Sequence, residues 1–177
     1  MTPAPLPRRK PGLTLVFLGV VALGLAVAWF VRGLDSGTAL AVGARAPEFQ
    51  VELIDGGTFD LSRHLDAEQP RAVVINLWAS WCIPCRKEMP ELSAFADAHP
   101  DVTVIGVAVQ DSESASRAFA AEIGATYPLA LGDDTFEDAY PTPGLPATFV
   151  IDGSGRIEVI HHGIVDRADL EEFTRDL

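Results

Sequence analysis

Nine residues, RAVVINLWA from Arg71 to Ala79, form a continuous apolar run, and two cysteines follow it almost at once in SWCIPC. A run of this kind reads as a strand buried on both faces, which requires a sheet covered on both sides. A second such run, VTVIGVAV from Val102 to Val109, repeats the signal. Between them Met89, Leu92, Phe95 and Ala96 recur at helical spacing from Pro84 to His99, and Pro100 stops the pattern. A strand, a helix and a second strand, all buried, predict an α/β sandwich.

The flanking segments extend this frame. APEFQVELIDGGTFDLSRHL contains two alternating, strand-like runs around Asp55-Gly56-Gly57, a hairpin signal. Ser112 or Ser114 is placed to cap a helix that runs to Ile123 and ends at Gly124. YPLAL suits a short strand. PATFVID and RIEVIHHG pair as an antiparallel hairpin around Gly153-Ser154-Gly155, and Asp166 caps a last helix through Leu177. The predicted order is ββ–β–α–β–α–β–β–β–α around a mixed sheet. His64 and His99 read as surface residues at element ends.

The amino-terminus reads as an address. Leu13 to Val31 is a stretch of 19 residues without a charge, close to the length that spans a bilayer. Arg8, Arg9 and Lys10 precede it and Arg32 follows, so the positive-inside rule places the amino-terminus in the cytoplasm and the rest outside. Ala26-Val27-Ala28 resembles a signal-peptidase site. The apolar run continues through it to Val31, however, and exceeds the usual ~7–15 residues of a signal-peptide core, which favours a retained anchor. The expected organisation is a cytoplasmic 1–12, an anchor at 13–31, a linker at 32–43 and one domain at 44–177. From Asp35 onward nine basic side chains face 25 acidic ones, a formal charge of −16. That excludes a basic patch suited to nucleic acid.

Cys82 and Cys85 are all the thiol the chain has. As a structural staple they would close a very small loop and restrain the unfolded chain little. A zinc site would need a second cysteine pair or paired histidines, and His161-His162, adjacent on a strand, point to opposite faces. Redox chemistry fits the placement. The pair follows a buried strand and opens a helix, whose free N–H groups and dipole stabilise a thiolate at the first cysteine. Pro84 suits a first helical turn because its missing N–H would have no partner there.

WASWCIPCRKEMPEL resembles the active-site segment of the thioredoxin superfamily, and most of all the membrane-anchored TlpA, ResA and CcmG (DsbE) group of extracytoplasmic thiol–disulfide oxidoreductases. GARAPEFQVELIDGGTFDLS resembles that group's amino-terminal hairpin extension, and YPTPGLPATFVIDGSGRI its second signature. The resemblance implies a thioredoxin-like three-layer sandwich. It implies Cys82 as the exposed attacking thiol, Cys85 as the resolving thiol, and a reversible Cys82–Cys85 disulfide with no other cofactor or metal. It also implies a cis Pro146 beside Leu145 against the cysteines, and Glu88 as the acid near them. Trp81 offers a partner an apolar face. Two positions depart from the pattern. Asn76 stands where cytoplasmic thioredoxins carry a buried Asp, which leaves Glu88 as the substitute base. Ala147 stands where CcmG-type proteins carry an acid. The implied partners are protein disulfides, apocytochrome c among them, and a membrane electron donor of the CcdA or DsbD kind. A copper chaperone using the same cysteines is the alternative function, and a thiol peroxidase a more distant one.

Overall fold

The computed structural model describes residues 40–177; the apolar run at 13–31 and its basic flank lie outside them. Among the described residues, no helix is long and apolar enough to cross a membrane. One seven-stranded mixed sheet runs from Thr58–Asp60 (β2) at one edge through Gln50–Leu53 (β1), Leu129–Leu131 (β5), Val102–Ala108 (β4), Ala72–Trp78 (β3) and Ala147–Asp152 (β6) to Ile157–His162 (β7) at the other. β1 (Gln50–Leu53) and β2 (Thr58–Asp60) are the expected hairpin. Its turn needs glycine, because Gly56 and Gly57 have φ of 99° and 87°, where a side chain is strained. β3 (Ala72–Trp78) and β4 (Val102–Ala108) pair in parallel, with the helix of the crossover between them. β5 (Leu129–Leu131) continues the parallel set beside β4. β6 (Ala147–Asp152) and β7 (Ile157–His162) form an antiparallel hairpin on the other side of β3.

Among the described residues, five helices cover the sheet: α1 (Leu61–Glu68), α2 (Ile83–Ala98), α3 (Glu113–Ile123), α4 (Asp134–Ala139) and α5 (Arg167–Phe173). Ser112 caps α3, Gly124 closes it at φ 63°, and Asp166 starts α5 with a reciprocal capping box. Two helices were not anticipated. α1 and α4 are short, and each is announced only by an Asp cap: Asp60 accepts from Arg63 N–H and Asp133 from Phe136 N–H. Such short segments offer too few turns for a periodic signal. α5 stops at Phe173 rather than running to Leu177, and Thr174 Oγ1 turns back onto Leu170 O at 2.8 Å. His64 is also reassigned. It sits in the middle of α1, half-buried, with Nε2 2.7 Å from Thr103 Oγ1.

The apolar side chains separate cleanly by face. Along β3, Val73, Ile75 and Leu77 join Phe49, Phe59, Phe136, Tyr140 and Phe149 in one core. Ala72, Val74 and Trp78 join Cys85, Met89, Leu92 and Phe95 of α2 in the other. Both cores bury β3 completely, which accounts for its unbroken apolar sequence. Asn76 belongs by parity to the second face, under α2. At the amino-terminal edge Gly43 N–H donates to Ile157 O (2.7 Å), and Leu40 packs against the first core.

Candidate active site

The cysteines sit where β3 hands over to α2. Cys82 is the N-cap residue, and its sulfur accepts the N–H of Cys85 at 3.2 Å. Pro84 lies in the first turn. The two cysteines are joined by a disulfide, with Cα atoms 5.3 Å apart. Cys85 is fully buried and Cys82 is 3% exposed. Cys82 is thus the more accessible of the two, but it is not the freely exposed thiol expected from the sequence. The exposure belongs to its neighbours: Trp81 is 58% and Ile83 71% accessible.

Trp81 is held in place by the loop after β4. Its Nε1–H donates to Gln110 O at 3.0 Å. Gln110 has φ 54°, and its N–H donates to Glu137 Oε1 of α4 at 2.7 Å. Next to it, the Asp111 carboxylate accepts from Ser80 N–H (2.7 Å), Ser112 N–H (2.8 Å) and Ser116 Oγ (3.0 Å). Burial pushes its pKa up, but these donors prevail and hold it below the ordinary range. Asp111 therefore ties the residues leading into Cys82 to the start of α3.

The Leu145–Pro146 peptide is cis, immediately before β6. Pro146 O accepts from Gly163 N–H at 2.9 Å. Leu145 is partly buried and packs against both cores, including the one that holds the cysteines.

Glu88 is fully buried in α2, three residues after Cys85 and on the same helical face. Its Oε1 accepts from Asn76 Nδ2 at 2.7 Å and its Oε2 from Val165 N–H at 3.1 Å. Burial raises its pKa from 4.5 to about 7, against the pull of those two donors. No basic side chain contributes to holding its charge. Tyr127 lies near enough to feel it: burial first, and the Glu88 charge second, push the phenol well above its usual range. Two features of this site escaped the sequence reading. One is Asn76 as the direct partner of Glu88; its signal was a lone amide within the apolar run AVVINLW. The other is the pair of loop anchors, Gln110 and Asp111, which have no motif of their own.

A sulfur pair at a helix start, a cis-proline at the head of β6 and a buried acid one helical turn beyond the second sulfur, on a mixed sheet covered by helices, define a thioredoxin-like thiol–disulfide oxidoreductase. The chain belongs to the AhpC/TSA family, whose model matches residues 42–160. It is similar to the thiol-disulfide oxidoreductase ResA of Geobacillus thermodenitrificans, with 28% identity over 92% of each chain. It is also similar to the thioredoxin-like protein YneN of Bacillus subtilis, with 31% identity over 73% of this chain and 76% of that one. The crystal structure of a putative thiol:disulfide interchange protein DsbE from Chlorobium tepidum superposes with a TM-score of 0.67. It is 25% identical and covers 76% of this chain and 96% of its own.

Proposed function

We propose that this chain is an extracytoplasmic reductant of protein disulfides, tethered by residues 13–31 and serving cytochrome c maturation or a related assembly pathway. The observation that carries the reading is the Cys82–Cys85 pair at the start of α2 with Glu88 buried one helical turn further on. In the reduced protein, Cys82 thiolate attacks a substrate disulfide, forms a mixed disulfide and expels one substrate thiolate. Cys85, fully buried, holds its proton until Glu88 accepts it. The new Cys85 thiolate then attacks Cys82 Sγ. The second substrate thiolate leaves, and the Cys82–Cys85 disulfide closes. Two electrons have passed to the client, which ends as a dithiol, and a membrane thiol carrier of the CcdA or DsbD kind returns them. Trp81 next to Cys82, and Leu145 with the cis Pro146 after it, supply the surface against which a client segment lies.

The same acid supports the reductive direction. A buried carboxylate beside the thiols disfavours a thiolate there, so the reduced form is not specially stabilised. A pair without that stabilisation sits at a low potential, on the reducing side. An oxidising compartment has oxidants already, and a tethered thioredoxin-like domain there serves as the exception that reduces.

The test is capture. Cys85→Ser removes the resolving thiol, so clients should remain joined to Cys82 in the full-length chain, with apocytochrome c among them. Copper-site assembly factors in their place would move the client to that pathway. A measured potential as high as about −120 mV, the range of a strong oxidant, would overturn the reductant assignment.

A further inference from the structure

Glu88 has to exist in two states during each cycle, ionised before it takes the Cys85 proton and protonated afterwards; this inference rests on that reading. As the structure stands, every contact suits the ionised state. Oε1 faces the amide NH2 of Asn76 and Oε2 faces the backbone N–H of Val165. The Val165 N–H has no lone pair to offer, so a proton on Oε1, towards Asn76, is the one that a neighbouring side chain can turn to receive. There it would meet a second donor, unless the amide turns over. Asn76 is able to turn. Its Oδ1 is buried and has no partner, while Nδ2 makes the contacts on the other side, to Glu88 at 2.7 Å and to Thr148 Oγ1 at 3.3 Å. A half-turn about Cβ–Cγ brings Oδ1 to face both groups. It then accepts from Glu88 Oε1–H and from the Thr148 hydroxyl, which serves as donor as readily as acceptor. The far side of the amide is unpaired in either orientation, so the turn exchanges one unpaired group for another.

We propose that the Asn76 side chain reverses in step with the proton on Glu88, presenting Nδ2–H to the carboxylate and Oδ1 to the carboxylic acid, with Thr148 switching between acceptor and donor. Asn76 is a positioning residue in this scheme. It acts on the thiols only through Glu88, and it lets one buried acid be held well in both states. An Asp at this position would add a second negative charge, and an apolar residue would serve neither state. Around Glu88, β3 offers Asn76, which also touches Thr148 of β6, the turn before α5 offers the Val165 N–H, and the titratable groups on that side are Cys85, one turn earlier on α2, and Tyr127.

The experiment follows the Asn76 side-chain amide protons by NMR in the reduced full-length chain, together with the Glu88 carboxyl carbon, between about pH 5 and about pH 9, a range that brackets the raised Glu88 value of about 7. The amide resonances should move with the midpoint of the Glu88 titration. In Glu88→Gln they should stay fixed in the low-pH position, because the Gln amide also offers a donor there. A second readout is stopped-flow reaction with a symmetrical aromatic disulfide, in which release of the second coloured thiolate reports the Cys85 step. Asn76→Leu takes a partner from both states, and the charge-assisted bond to the carboxylate is the stronger of the two, so the pH midpoint of that release should rise by less than about one unit while the high-pH plateau stays in place. If Glu88 titrates and controls release while the Asn76 resonances stay still, the reversal is wrong and Glu88 remains the base. If Glu88 does not titrate in the range, or release ignores it, both readings fall.

Discussion

At the scale of single residues, Glu88 connects stability to chemistry. Its pKa is raised in the folded chain from 4.5 to about 7, so between those values the native state binds a proton that the unfolded chain has lost. Stability therefore falls as pH rises through that window, by up to about 3 kcal/mol in all, and the protein is most secure on the acid side of it. Glu88→Gln keeps an acceptor for Val165 and a polar group for Asn76 but has nothing to ionise. The variant should unfold in urea with nearly the same free energy at pH 5 and pH 8, where the parent loses stability. An equal pH slope in parent and variant would show that the carboxyl is not the titrating group.

At the scale of elements, the active site depends on a loop that carries no catalytic group. The segment after β4 holds Trp81 through the Gln110 carbonyl and holds the Ser80 N–H through Asp111, while Asp111 also receives Ser112 and Ser116 at the start of α3. Three elements thus meet at one carboxylate. Asp111→Ala leaves three donors without that acceptor, and the expected loss is about 2 kcal/mol in equilibrium unfolding. Trp81 should become more mobile, seen as a fall in its fluorescence anisotropy, since the carbonyl that fixes its ring sits on the freed loop. Unchanged stability and anisotropy would mean that β3 and α2 alone fix the approach to Cys82. Gly106, opposite Asn76 in the register of β3 and β4, has a different role: a Cβ there would stand 2.7 Å from Leu129 Cδ2 and 3.1 Å from Trp78 Nε1, so the leucine and the indole fill the room that glycine leaves.

At the scale of the whole molecule, the dominant property is charge. From Asp35 onward the formal charge is −16, and the ion pairs of Arg86, Arg117 and Arg167 lie in exposed or half-exposed positions where each adds little. Self-repulsion therefore outweighs surface pairing. Raising ionic strength from about 0.01 to about 0.15 M shortens the screening length from about 30 to about 8 Å, and the thermal midpoint should rise. A fall would mean that the pairs matter more than the net charge. The same acidity disfavours acidic clients and suits a partner whose disulfide lies in a neutral or basic segment.

The sequence by itself determined the parts whose physical cause is local. A strand buried on both faces shows as an unbroken apolar run, a cap as Ser or Asp before a helix, a tight turn as Asp-Gly-Gly, and a reactive pair as two cysteines at a helix start. These are properties of a few adjacent residues, and β3, α2, the two hairpins and the Cys82–Cys85 site were legible from them. Tertiary structure alone decided the rest. The short helices α1 and α4 are held by packing of Leu61 and Phe136 into the core, not by a periodic pattern long enough to read. Glu88 looks like any acid in the first half of a helix. What sets it apart is burial against Asn76, 12 positions earlier, and Val165, 77 positions later. Desolvation by distant segments shifts its pKa, and that depends on which chain segments meet, information that no local pattern carries.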